Sequence, residues 1–214
     1  MSAVLARMGA GFHDAVHGAQ QAFRALLAAM SEPGRVLPLP AVASAGLEAS
    51  GTGPRPPFDV ALAATLLTLL DADTPVHLTG GLDTADARAW LRLHTGARAL
   101  PQATAMTAAL ARDVDAPLWR ALDLGTDDAP QASATLFVQV DALSAQPLRG
   151  AVALKLRGAG IATSRDLAVA GLSSAFWHWR TALRAQLPRG IDLVLACGTQ
   201  LAAIPRSTHV ESEG

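Results

Sequence analysis

Lysine, cysteine and long apolar runs are what this sequence has least of, and each scarcity excludes something. Cys197 is the only cysteine in 214 residues, so no intramolecular disulfide can form, and the usage fits a reducing, cytoplasmic compartment. Lys155 is the only lysine among 17 basic residues, the rest being arginines with fixed donor forks in place of a titratable amine. Schiff-base chemistry therefore has one candidate. Lys155 lies in AVALKLRG (151–158), whose alternation points it away from its apolar neighbours on a half-exposed strand. Pyridoxal phosphate is disfavoured, and no cofactor is expected. The charged fraction is 16 % and the net charge -1, with no Lys/Arg run, so neither nucleic acid nor an anionic membrane is an expected partner. The opening MSAVLARMGAGFHDAVHGAQQ lacks an apolar core of signal-peptide length, so no export signal is expected. The most apolar segment, VALAATLLTLL (60–70), is about half the ~20 residues of a membrane span and reads as a buried helix.

What is present is the patterning of one α/β domain over residues 1–214. A chain of this size buries roughly 70 % of its unfolded surface and needs no disulfide or metal to hold together. Phe12, Val16, Ala19, Phe23, Leu26 and Met30 recur at helical spacing, which predicts an amphipathic helix with that stripe buried, ending near SEPG. A short strand at 36–39 follows, and ASAGLEASGTGPRPP (43–57) reads as a loop, the segment expected to move most. Then come a helix over 58–70, a strand over 75–79 and a helix over 84–94, with Asp83 as N-cap and Gly96 as stop. ATAMTAAL is ambiguous between strand and helix, whereas SATLFVQV (133–140) and AVALKL (151–156) are strand-like. A helix over 172–187 precedes IDLVLAC and LAAI, which flank GTQ as a hairpin. Interleaved strands and helices imply helices on both faces of one mixed central sheet.

Several clusters carry chemistry on paper. HDAVH (13–17) places His13 and His17 at the i, i+4 spacing of a zinc pair, but Asp14 is a methylene shorter than the usual base and no third ligand stands out, so solvent-facing histidines are the expectation. Asp71 and Asp73 follow a helix C-terminus, where the dipole disfavours acids; a turn before Pro75, or else a partner arginine or a metal ion, accounts for them. Arg92 and His94 fit capping of a helix end, and the glycines of RGAGI (157–161) fit a turn or bulge better than a phosphate loop. In the helix over 172–187 the expected buried stripe is Leu172, Phe176, Trp179, Leu183 and Leu187. That puts Trp177 beside Arg180 and Arg184 on a partly exposed face, either an interface anchor or a lap over the core edge. Finally, Pro205 stops a strand, and Arg206, Ser207, Thr208 and His209 follow with their donors close together, suited to an anionic ligand or to a partner chain adding to an edge. Ser207 and His209 lack an orienting third group, so no catalytic set is expected.

AFRALLAAMSEPGRV (22–36), TLLTLLDADTPVHL (65–78), LRLHTGA (91–97), LRGAGI (156–161) and PRGIDLVLACGTQLAAIPRSTHVE (188–211) together resemble the PhnH family, the H subunit of the bacterial carbon-phosphorus lyase system. The resemblance runs in order over residues 19–211. It implies a role in phosphonate use: with the G, I and L subunits, transfer of the ribose triphosphate of ATP onto methylphosphonate with displacement of adenine, and a core complex with G, I and J. It also implies a three-layer α/β/α sandwich similar to pyridoxal-phosphate-dependent transferases but without the cofactor lysine, and a homodimer when isolated. It carries over no catalytic residue, which leaves an architectural subunit as the first expectation and a free-standing binder or enzyme for a small phosphorylated ligand, at Arg206 and His209, as the second.

Overall fold

The computed structural model describes residues 10–47, 57–103 and 105–213. Among them no helix is long and apolar enough to cross a membrane. Helix α1 (Ala15–Ser31) starts where Asp14 Oδ1 accepts from the amides of Val16 and His17 at 3.1 and 3.0 Å. After strand β1 (Leu37–Pro38), one helical turn, α2 (Ala41–Ser44), occupies the start of the loop expected over 43–57; residues 48–56 of that loop lie outside the described residues. Helix α3 (Val60–Leu69), strand β2 (Val76–Leu78) and helix α4 (Ala85–Thr95) follow as their patterns require. The cap of α4 is Thr84, whose hydroxyl accepts from the Ala87 amide, while the expected Asp83 instead pairs with Arg88. Strand β3 (Ala99–Leu100) comes next, and ATAMTAAL resolves as strand β4 (Met106–Leu110), since pairing on both sides overrides its weak propensity. The remaining elements are α5 (Ala116–Ala121), β5 (Thr135–Gln139), β6 (Ala142–Ser144), β7 (Val152–Arg157), β8 (Arg165–Ala170), α6 (Ser174–Ala182), β9 (Asp192–Cys197), β10 (Gln200–Ile204) and β11 (His209–Glu213).

Among the described residues the strands form two sheets. The larger runs β1-β10-β9-β5-β4-β2-β3, parallel from β9 to β3, with the β9–β10 hairpin and β1 antiparallel at one side. From β2 the chain moves outward to β3 through α4, and from β4 it moves the other way to β5 through α5. Right-handed crossovers in opposite directions must lay their helices on opposite faces. They do: Trp90 and Leu91 of α4 share a core with α1 and α3, whereas Trp119 of α5 lies in the core on the other side.

Helices on both faces are thus realised, but the second face is not covered by helices alone. A four-stranded antiparallel sheet, β11-β7-β8-β6, shares that layer with α5 and α6, a feature the sequence patterns did not announce. Residue alternation on β5 shows why two cores result: Phe137 faces the α1/α3/α4 layer, and Leu136 and Val138 face Leu154, Leu156, Leu167, Val169 and Val210 of the small sheet.

The apolar stripe expected to be buried on α1 is buried only in part: Leu26 is covered and Phe12 and Met30 pack against the core, but Val16 and Phe23 point out. The residues covered by β10 and α3 are Gly18, Ala22, Ala25, Leu26 and Ala29, while Val16, Phe23 and Leu27 are exposed. At Gly18 the reason for a small residue is local: a Cβ there would stand 2.7 Å from the ring of Phe12, just before the helix. RGAGI is the turn between β7 and β8, as expected, closed by Ile161 N–H donating to the Gly158 carbonyl. Gly160 has φ +80 there, and a Cβ would overlap the Ser31 carbonyl at the end of α1. Gly160→Ala should therefore destabilise by about 3 kcal/mol in urea unfolding, strain and overlap together. Gly150→Ala, with similar φ +81 but open space around it, should lose only about 1 kcal/mol; equal losses would remove the overlap as the cause.

Candidate functional site

The C-terminal polar cluster does not converge. Strand β10 ends at Ile204 and Pro205 breaks it as expected, but the chain turns, with Thr208 N–H donating to the Pro205 carbonyl, and re-enters a sheet as β11. Arg206 folds back on Asp192 at the start of β9: Nη2 to Oδ2 is 2.6 Å, the backbone N–H donates to Oδ1 at 2.8 Å, and Nη1 donates to the Pro130 carbonyl. Ser207 is exposed, and Thr208 is buried with its hydroxyl unpaired among the described residues. His209 starts β11, the outer strand of the small sheet, with Nε2 3.0 Å from Glu211 Oε1. The strand that Pro205 ends, β10, is not an edge, since β1 and β9 flank it; the edge at this end is β11, where Thr181 Oγ1 donates to the Val210 carbonyl.

Trp177 and Arg180 are corrections. They occupy no partly exposed face: Trp177 is fully buried and Arg180 is 1 % exposed, both wedged between α6 and the small sheet. The helix ends at Ala182 and tightens into a 3₁₀ turn, Leu183–Gln186, past which Leu187 is exposed; within the helix Trp179 is only half-buried, and Arg184 remains outside. Neither Trp177 nor Arg180 can anchor a partner from that depth. Arg180 Nη2 donates to the Pro205 carbonyl at 2.7 Å, and its Nε is unpaired among the described residues. Burial pushes its guanidinium down to about 10, with the charge of Asp192 acting in the opposite direction, so it stays protonated at neutral pH. Asp192 thus serves two arginines, Arg206 by contact and Arg180 through space.

Asp71 supplies the turn expected of this pair. Its Oδ1 accepts from Asp73 N–H at 3.0 Å and from the Thr74 hydroxyl at 2.7 Å, and the hydroxyl contact holds the Asp71 carboxyl below its usual range. Asp73 is exposed beside it. These acids precede β2, and Arg206 abuts the start of β9, so all lie at the amino-terminal edge of the sheet, with β4 and β5 between them. The His13/His17 spacing fails for a physical reason: α1 begins at Ala15, so His13 is not on the helix, and His17 Nδ1 is engaged at 2.7 Å by the capping Asp14.

The opposite edge of the sheet forms the concave surface. The carboxyl ends of β2 and β4, where the chain direction across the sheet reverses, are where open α/β sheets place ligands. A cleft of about 500 Å³ there is lined by His77, Thr79, Gly80, Asp83, Arg112 and Asp113. Beside it, a second of about 270 Å³ is lined by Asp59, Arg112, Gln139, Asp141 and Cys197 at the ends of β4, β5 and β9. Arg112 belongs to both. Asp59 stands at the N-cap position of α3; its N–H donates to Gln139 Oε1 at 2.6 Å and its Oδ2 accepts from Gly198 N–H at 2.7 Å, tying the ends of β5 and β9 to that helix. The Gly80–Gly81 turn receives Asp113, whose Oδ2 accepts from Gly81 N–H at 3.0 Å. Arg88 holds the Asp83 carboxyl below its usual range, and burial, followed by the charges of Asp59 and Asp141, raises the Cys197 thiol. Carboxylates predominate, with one exposed guanidinium: acceptors for a ligand's N–H or O–H groups and a single anion contact. Sequence reasoning missed these residues. Their one local signal is a polar residue directly after an apolar strand, as in Gln139–Asp141.

Asp192→Ala should cost about 3 kcal/mol in chemical unfolding, because it strips the counter-charge from a buried guanidinium. Arg180→Met, which removes the buried charge while Arg206 keeps Asp192 paired, should stay within about 1 kcal/mol of wild type. Since the native Arg180 sheds its proton near 10, below its unfolded value, the native state binds fewer protons above that pH, and the wild type should gain stability relative to Arg180→Met as pH rises through about 10. Loss of stability over that interval would reverse the sign and sink the account. Cys197 should alkylate with iodoacetamide at pH 8 about tenfold more slowly than a free thiol, and Asp59→Asn should speed it.

Comparison with known proteins follows the whole chain. The profile of the family described as bacterial phosphonate metabolism protein (PhnH) matches residues 10–211. The chain is 35 % identical over 204 residues to the alpha-D-ribose 1-methylphosphonate 5-triphosphate synthase subunit PhnH of Rhizobium meliloti (strain 1021), covering 94 % of each. It is 31 % identical over 199 residues to the putative C-P lyase subunit protein HtxG of Stutzerimonas stutzeri, covering 91 % of this chain and 87 % of that one.

Proposed function

The chain belongs to the PhnH family of bacterial phosphonate metabolism proteins, and on that premise we propose that it is a subunit of the carbon-phosphorus lyase machinery. It supports transfer of the ribose triphosphate of ATP to methylphosphonate, with adenine displaced, acting in the cytoplasm with the G, I and L subunits and in a core with G, I and J. Alone it is a homodimer. Its part is architectural: the complex is active, and this chain shapes it. The observation that carries this reading is collinear similarity to a synthase subunit over 94 % of both chains. It is supported by where the polar groups go, since Arg206 and His209, the first candidates for an independent anion site, are engaged by Asp192 and Glu211. A fold kinship to pyridoxal-phosphate-dependent transferases belongs to the same proposal; the parallel strands with helices on both faces support it, and Lys155 stands in the second sheet, away from their carboxyl ends.

A second reading, a binder of a small phosphorylated ligand, is favoured by the crevice at those strand ends and moves from Arg206 and His209 to Arg112. Co-expression of G, I, J and L with and without this chain separates the two. Adenine release from ATP and methylphosphonate should fall more than tenfold on omission, and the isolated chain should release none; full turnover without it, or turnover by it alone, would falsify the architectural role. A melting point raised by several degrees with ATP or methylphosphonate, and not with Arg112→Ala, would favour the second reading.

A further inference from the structure

The periodic stripe on α1 has its large residues on the wrong side for a helix that ends its packing within one chain. Val16 is 76 % exposed, Leu27 56 % and Phe23 48 %, and at 100° per residue they share the side opposite Gly18, Ala22, Ala25 and Ala29. A solvent-facing helix normally carries its polar residues there. Val42, also exposed, sits on α2, which packs beside α1. Clustered apolar exposure of this kind marks an interaction surface more often than scattered single residues do.

The charge on this face indicates what covers it. Arg24, adjoining Phe23, is exposed, and no acidic group among the described residues pairs with it. A second copy docking by two-fold symmetry about Phe23, the middle of the stripe, would set Arg24 against its own equivalent near the axis, with like charges facing. A different polypeptide with an apolar ridge and a carboxylate satisfies both the stripe and Arg24. We propose that the outer face of α1 docks another subunit of the phosphonate-processing complex, through an apolar surface that carries a carboxylate opposite Arg24. This rests on the subunit reading above and adds where the contact lies.

The test uses the full chain co-expressed with the G, I, J and L subunits, with assembly measured as particle mass against concentration. The double variant Phe23→Ser with Leu27→Ser should assemble at least tenfold more weakly than wild type while melting within about 2 °C of it, because neither side chain is in the core. Arg24→Glu should weaken assembly by about tenfold at low salt and less at high salt. Assembly of these variants at wild-type strength overturns the docking and leaves the subunit reading standing. If the isolated wild type is a dimer that the double variant makes monomeric, a second copy owns the face and the proposal is overturned. Failure of the wild type itself to assemble overturns the subunit reading, and the docking with it.

Discussion

Burial of β5 and β9 on both faces is the constraint from which the architecture follows. Leu136–Val138 and Leu193–Ala196 are buried residue after residue, so each face of the large sheet requires its own cover. The first comes from α1 and α3, whose inner sides are rich in alanine, and from α4, which contributes Trp90 and Leu91. The second comes from a layer in which a small antiparallel sheet and α6 share the work. Without both, the central strands would leave apolar surface on one side exposed to water, and the parallel ladder has no hairpin of its own to hold it.

The second cover brings the polar C-terminal segment into the interior. After β10 the chain has to cross from the large sheet to the outer strand of the small one, and the crossing passes over α6. Arg180 reaches that crossing from below and Arg206 clamps it to the start of β9, so Asp192 becomes the counter-ion of a buried junction between layers. Residues that look in sequence like a recognition motif are spent on holding the two sheets together. The opposite edge of the molecule is left with the concave surface, because carboxyl ends of parallel strands that diverge to either side cannot be filled by the loops leaving them.

Polar groups on the two edges therefore have different duties. At the amino-terminal edge Asp71 builds a turn and Asp192 balances arginines, each carboxylate engaged by local partners. At the carboxyl edge Asp59 and Gln139 tie strand ends, while Arg112 and Asp141 face open space beside Cys197. Membership of a family whose relatives are named as subunits is consistent with a molecule whose largest unspent features are a crevice and an uncovered helix face.

Much was legible in the sequence by itself. The helices at 15–31, 60–69, 85–95 and 174–182, strands β1, β2, β5 and β7, the β9–β10 hairpin, the break at Pro205, the turn at Asp71 and the family all follow from local spacing, turn chemistry and collinear motifs, whereas β3, α5, β6, β8 and β11 carried no such signal. Tertiary structure alone decided which side of each helix is inside. On α1 periodicity marks Val16 and Phe23 as strongly as Leu26, and only packing against β10 and α3 gives the inner place to Gly18, Ala22 and Ala25 beside Leu26. On α6 packing against the outer strand of the small sheet accompanies the burial of Trp177 and Arg180, and past the 3₁₀ turn Leu187 is left exposed. The second sheet and the carboxyl-edge crevice depend on pairings between residues far apart in the chain, such as Lys155 with Glu211 and Ala108 with Phe137, and no local pattern encodes which strand becomes the neighbour of which.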